Sequence, residues 1–361
     1  MSLVDVGAVI GGLILLVAGA EALVRAAGTL ARRAGISSLV VGLTIVSLAT
    51  STPELAVSVD AALRGEPDLA VGNIAGSNVA NVLLILGVAA LIVPLTVKRQ
   101  LVRLDLPVMV AVSVLLLLLA RDGGLSTTDG AVLLAVMAAH TTRTVVLGRR
   151  DPEAAPVEEV TLLPVWQALL ALVAGVAVLV GGARLLVDGA VGIATALGLS
   201  SLVIGLTVVA VGTSLPELAA AISAVRQGDR DMAVGNAVGS NIANIGLVLG
   251  VPAILSPDGL AVTAAATAFD LPAVIVSAVL LMPVAITGLS VQRWEGAVFV
   301  GLYAAYLAYI VLAATNHHAL TGFTRMMVVF VLPAVSLAVL VSVLHGLRQR
   351  KQDHRRAVPL A

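Results

Sequence analysis

The chain has 361 residues, 59% of them apolar and only 12% charged, with 21 basic and 21 acidic side chains and a formal net charge of zero. An exterior this apolar cannot face water, which excludes a soluble globular protein and predicts an all-α polytopic membrane protein. Aromatic residues at 2% with no basic cluster exclude a nucleic-acid surface, and the absence of cysteine excludes disulfides, thiolate nucleophiles and Cys-ligated metals.

Apolar runs bounded by charge, Gly or Pro predict eleven spans, at residues 3–31, 38–63, 69–94, 104–120, 127–147, 162–195, 201–225, 231–255, 269–287, 291–313 and 324–346. Each is near or above the ~20 residues a helix needs to cross a bilayer. The start, Met1-Ser2-Leu3-Val4-Asp5, lacks a basic run, so the first span reads as a retained helix rather than a signal peptide. With the N-terminus outside, 16 Lys and Arg fall in cytoplasmic loops and three (Arg64, Arg121, Arg325) outside, while Arg25 and Arg184 lie within spans. That bias predicts N-out and C-in.

Spans 2–3 recur as spans 7–8 at a constant offset of 163 residues. Ala49-Thr50-Ser51-Thr52-Pro53-Glu54 returns as Gly212-Thr213-Ser214-Leu215-Pro216-Glu217. Gly76-Ser77-Asn78-Val79-Ala80-Asn81 returns as Gly239-Ser240-Asn241-Ile242-Ala243-Asn244. Five spans separate the copies, an odd number, so the second is expected to cross the membrane in the opposite sense. Inverted repeats with broken helices mark secondary transporters. The expected organisation is a first repeat over 1–148, a cytoplasmic linker over 149–161, an inverted second repeat over 162–313, and an added span with a basic tail over 314–361.

Glu54 and Glu217 lie inside apolar spans, where an unpaired carboxylate costs several kcal/mol and therefore points to function. Each follows a proline, which offers no N–H to the carbonyl four residues back (Ala49 and Gly212) and lets neighbouring carbonyls at Ser47 and Ala210 turn inward. Thr50, Ser51 and Glu54 share one helix face, as do Asn73, Ser77 and Asn81 on the next span. The second half copies both stripes with Thr213, Ser214 and Glu217, and with Asn236, Ser240 and Asn244. All these donors are oxygens, which suits a hard cation such as Ca²⁺ or Na⁺ and not zinc or copper. Two carboxylates balance one Ca²⁺, or two protons.

Other polar residues read as structural. Glu21 with Arg25, and Arg184 with Asp188, stand four apart and are expected to pair along their own helices. Asp105 and Asp270 are expected to cap or favour the starts of spans 4 and 9. Asn78 and Asn241 divide evenly between packing and function. The linker acids Asp151, Glu153, Glu158 and Glu159 lack EF-hand alternation. None of the five histidines forms H-E-x-x-H or joins the carboxylates, so no enzyme is expected.

The two copied segments, with their G-T-S-x-P-E and G-N-x-x-G-S-N-x-x-N signatures, resemble the alpha repeats of the cation/calcium exchanger superfamily, in its bacterial sodium/calcium exchanger-like branch. The resemblance covers residues 1–313. It implies ion ligation by Thr50, Ser51, Glu54, Ser77, Asn81, Thr213, Ser214, Glu217 and Ser240, with the backbone carbonyls of Ser47 and Ala210. It also implies a sliding gate formed by helices 1 and 6, and a bacterial-type plasma (inner) membrane location. Asn244 stands where many such exchangers carry an acid, which reduces the titratable ligands to two. The expected activity is Ca²⁺/Na⁺ antiport by alternating access, with Ca²⁺, Na⁺ and the bilayer as partners and no cofactor. Proton coupling, and less readily a cation channel, are the alternatives.

Overall fold

A computed structural model describes residues 2–148, 163–256, 258–338 and 340–341; the linker, the basic tail and the end of the last span lie outside the described residues. Among the described residues the molecule is almost wholly helical. Nine helices are long and apolar enough to cross a bilayer. They are α1 (Leu3–Ala34), α3 (Pro67–Ile92), α4 (Leu101–Asp122), α5 (Thr127–Gly148), α6 (Val165–Ala196), α8 (Arg230–Leu255), α9 (Ala266–Ala285), α10 (Arg293–Ala314) and α11 (Leu320–Ala338). Two further spans are broken. One is α2a (Ser38–Thr50) with α2b (Thr52–Leu63), bent by 44°. The other is α7a (201–213) with α7b (Leu215–Arg226), where the stretch Thr207–Thr213 is bent by 54° from α7b. Both breaks fall just before the proline of the repeated motif, where it interrupts the hydrogen-bond ladder.

α1 and α6 pack along a glycine seam. A Cβ on Gly12 would sit 2.7 Å from the Gly182 carbonyl oxygen, and one on Gly19 2.9 Å from that of Gly175. Rising positions on α1 meet falling positions on α6, so these two copies run antiparallel. Small residues every seven positions (Gly12 and Gly19; Gly175, Gly182 and Gly189) let the backbones approach this closely.

α3 and α8 form the centre, with 78% of their apolar windows buried. Four two-residue strands tie the halves together outside the helices. β1 (Leu95–Thr96), after α3, pairs antiparallel with β4 (Ser290–Val291), before α10, in the register Leu95↔Val291. β2 (Gly124–Leu125), after α4, pairs with β3 (Leu260–Ala261), after α8, in the register Leu125↔Leu260. Each half thus gives one strand to each pair.

Single π-helical turns recur at matched places in the two halves. They lie at Gly42–Val46 and Gly205–Val209, at Asn81–Ile85 and Asn244–Leu249, and at Leu101–Asp105 and Ala266–Asp270. Such turns cluster at functional sites because they re-aim side chains without ending the helix. Another, Met327–Val331, precedes Pro333 in α11.

Two expectations are corrected here. Glu21 and Arg25 do pair, at 3.3 Å, but Arg184 and Asp188 are exposed and make no ion pair among the described residues. Their order, with the base N-terminal to the acid, is the less favourable one on a helix. Asp105 caps nothing: α4 starts four residues earlier, and Asp105 is buried with Oδ1 3.8 Å from His140 Nε2 on α5. Asp270 likewise makes no capping bond.

Candidate cation site

The breaks in the second and seventh spans face the middles of α3 and α8. Ser51 (φ −80°, ψ 4°) and Ser214 (φ −91°, ψ 6°) leave helical geometry at the bends, and Glu54 and Glu217 lie in the first turns of the arms that follow. A carboxylate in a first turn is favoured by the helix N-terminal dipole, which offsets part of the burial cost. Both are essentially inaccessible, at 0% and 1% exposure.

The site is assembled across the halves. The Thr50 hydroxyl shares its hydrogen between the Ser47 carbonyl and Asn236 Oδ1, each 3.3 Å away. Ser214 donates to Ser77 Oγ at 3.3 Å. Ser77 lies beside Glu54, and Thr50 and Ser51 beside Glu217, close enough for the two carboxylates to interact electrostatically. No oxygen of either glutamate closes a hydrogen bond of ordinary geometry, and the hydroxyls of Ser51 and Ser240 and Oδ1 of Asn81 and Asn244 are also buried without a partner. Buried acceptors are ordinarily satisfied. Two buried carboxylates beside hydroxyl and amide oxygens without partners are chemically fitted to a cation, although the Asn236 Nδ2 donor is also buried without a partner.

Of the predicted ligands, Ser47, Thr50, Ser51, Glu54, Ser77, Asn81, Ser214, Glu217, Ser240 and Asn244 are all buried. Ala210 is exposed and Thr213 half-buried. The Ser47 and Ala210 carbonyls, expected to turn inward, both accept hydrogen bonds from their own spans. That of Ser47 receives the Ser51 N–H at 3.0 Å as well as the Thr50 hydroxyl. In the other copy the Ser214 N–H turns to Val211 at 3.1 Å, and Ala210 receives the Thr213 hydroxyl at 3.2 Å. Asn73 is withdrawn from the cluster and donates to Ser58 Oγ at 3.4 Å.

The copies also differ in how their first arms pack. α2a lies tight on α8: a Cβ on Gly235 would fall 2.6 Å from the Leu39 carbonyl oxygen, one on Gly239 2.6 Å from that of Leu43, and one on Gly42 2.5 Å from that of Met232. The equivalents Gly72, Gly76 and Gly205 have nothing within 4 Å. α7a is therefore parted from α3, and Gly205, Val209 and Ala210 are exposed where Gly42 and Val46 to Ser47 are buried or nearly so.

Sequence reasoning left Asn78 and Asn241 undecided, and both prove central to the site's hydrogen bonding. Their only signal was membership of the repeated motif, one position off the polar stripe. Met109, which contacts Asn241, carried no signal at all.

These features define a polytopic membrane protein with two buried glutamates and a set of buried hydroxyl and amide groups, a candidate cation site, between two copies of one sequence motif. The sodium/calcium exchanger protein family model matches residues 4–145 and 167–312. The chain belongs to the sodium/calcium exchanger family. It is 32% identical to the sodium/calcium exchanger MaX1 of Methanosarcina acetivorans over 338 residues, covering 83% of this chain and 96% of that one. It is 38% identical to the inner membrane protein YrbG of Escherichia coli K12 over 259 residues, covering 68% and 78% respectively. Among solved structures, the sodium-calcium exchanger NCX_Mj soaked with Na⁺ and Sr²⁺ superposes with a TM-score of 0.73 at 33% identity, over 85% of this chain and 99% of that one.

Proposed function

We propose that this protein is a secondary antiporter that exchanges Ca²⁺ for Na⁺ by alternating access, driven by ion gradients and with no bound cofactor. The observation that carries the reading is the pairing of Glu54 and Glu217, both fully buried, with hydroxyl and amide oxygens that lack other partners. Their two charges neutralise one Ca²⁺, and the same oxygens serve Na⁺ in turn. The ligands are Thr50, Ser51, Glu54, Ser77, Asn81, Thr213, Ser214, Glu217, Ser240 and Asn244, with the carbonyls of Ser47 and Ala210. The names of the exchanger relatives support the same activity.

The halves, 1–148 and 162–313, form an inverted repeat joined by a cytoplasmic linker, with residues 314–361 added. The antiparallel packing of α1 on α6 and the reciprocal strand pairs support this. The basic-residue bias supports an N-terminus outside, and the inner membrane protein among the relatives supports a bacterial-type inner membrane location. On that topology α3 and α7a both begin at the outer face, so their separation loosens the packing on that side of the still-buried glutamates, while the glycine contacts of α2a on α8 close the inner side.

The test is radioactive Ca²⁺ uptake into proteoliposomes loaded with Na⁺, with K⁺, or at acidic internal pH. Uptake that depends on internal Na⁺ is expected. Uptake driven only by the proton gradient would assign proton coupling instead, and ionic conductance without counter-transport would make the protein a channel.

A further inference from the structure

We infer that Asn78 and Asn241 are positioning residues, each locking the side-chain amide of the opposite half's asparagine so that the carbonyl oxygens of Asn81 and Asn244 are presented to the cation. This rests on the proposed assignment of Asn81 and Asn244 to the ion site, and it concerns two residues that the ligand set does not include.

An asparagine side chain is nearly symmetric in shape but not in chemistry. One end accepts hydrogen bonds and the other donates them, and turning it by half a revolution would offer a cation two N–H groups instead of an oxygen. A cation site built on asparagine therefore needs something to fix which end faces inward. Here the direction is set from the protein side of the cluster. Asn241 Nδ2 lies 3.4 Å from Met109 Sδ, and Asn78 Nδ2 lies 3.4 Å from the Asn241 backbone carbonyl. Both neighbours accept and neither donates, so each amide must place its NH₂ there. The oxygens of Asn78 and Asn241 then face the other way. Asn244 Nδ2 donates to Asn78 Oδ1 at 3.0 Å, and Asn81 Nδ2 donates to Asn241 Oδ1 at 3.0 Å. With their NH₂ groups held, Asn81 and Asn244 are left with Oδ1 buried and unpartnered.

All four side chains are at most 2% exposed, so no solvent competes for these bonds. The two bonds are images of each other under the 163-residue offset, which carries Asn78 to Asn241 and Asn81 to Asn244. Each ligand oxygen is thus oriented by the half to which it does not belong. The same logic makes the Asn78–Asn244 bond a consequence of having asparagine at 244: an ionised carboxylate there has no N–H to give.

The experiment exploits the symmetry of a carboxylate, whose two oxygens are equivalent and need no orienting. Ca²⁺ affinity is measured in the purified protein by the shift of the thermal unfolding midpoint with CaCl₂, and independently as the apparent KM of Na⁺-driven uptake. Asn241→Ala is expected to weaken Ca²⁺ affinity about tenfold, the order expected of one lost buried hydrogen bond, with a smaller effect on the maximal rate. In the Asn81→Asp background the same alanine substitution is expected to change affinity less than about twofold, the deviation ordinary for uncoupled sites. An equal loss in both backgrounds would overturn the inference and leave Asn241 as helix packing. The mirror cycle, Asn78→Ala with and without Asn244→Asp, repeats the test should one variant fail to fold. A wild-type protein that neither Ca²⁺ nor Na⁺ stabilises would instead remove the site assignment itself.

Discussion

The Thr50 hydroxyl reaches Oδ1 of Asn236 at 3.3 Å as well as the Ser47 carbonyl, whereas in the other copy Thr213 keeps only the bond to the Ala210 carbonyl and Asn73 donates to Ser58. Near-identical sequences thus occupy two different conformations within one molecule, one engaged and one released. Since the chain has no cysteine, a single introduced thiol reports on this directly. Ala210→Cys is expected to react with a membrane-impermeant maleimide added outside, and Ser47→Cys to remain protected from both sides. Equal labelling of the two would contradict the asymmetry.

The glycines on α8 give a complementary outcome. Gly239→Val forces a side chain against the Leu43 backbone and is expected to lower the unfolding midpoint, by an overpacking cost of about 1–3 kcal/mol. Gly76→Val meets open space in this conformation and is expected to be tolerated thermally, yet to stop transport by preventing α7a from closing on α3. Melting curves beside uptake rates separate the two.

Glu54→Gln or Glu217→Gln is expected to cut Ca²⁺ uptake by at least roughly a hundredfold, the upper end of the effect of removing a supporting residue around a metal. Each variant should remain folded, because glutamine keeps the volume and removes a buried charge. Full transport by a stably folded double variant would dismiss the site.

Asn244→Asp is expected to make Ca²⁺ affinity pH-dependent. At low pH the protonated acid still donates to Asn78. As pH rises it ionises, loses that bond and gains a charge for the cation, so apparent KM should fall with increasing pH more steeply than in wild type. Identical pH profiles would place Asn244 outside the ion pocket.

The Asp105–His140 contact is buried on both sides and lies away from the cation cluster. Removing one member leaves a buried polar group without that partner, so Asp105→Leu or His140→Leu alone is expected to destabilise by about 1–3 kcal/mol, and the double variant by less than the sum. Detergent melting midpoints of the three variants check this.

Much of the architecture was legible because membrane spans are long, apolar and punctuated by charge. Thus α5 and α10 fall within a residue or two of their expected limits, and the breaks at Ser51 and Ser214 follow from Pro53 and Pro216. Glu54 and Glu217 stood out because burying a carboxylate needs a reason. The bonding of the Ser47 carbonyl was not legible, since a proline shows which N–H is missing and not how the preceding turn repairs itself. Nor were the π-helical turns, whose extra residue leaves no mark in an apolar periodicity. The Asp105–His140 contact joins two helices through a register that sequence spacing does not encode. The glycine heptads of α1 and α6 were present all along, and become meaningful only when the two helices are known to touch.

The paired strands β1–β4 and β2–β3 carry a mechanical consequence. They stitch the connections leaving α3, α4, α8 and α9 into clasps, one from each half to each pair, so the halves cannot swing apart like the leaves of a book. The helices outside those clasps are α1 and α6, joined along their glycine seam, and the short arms α2a and α7a. On the proposed function, a transport cycle run this way would keep a fixed frame and move only shutters, displacing a minority of the protein's mass.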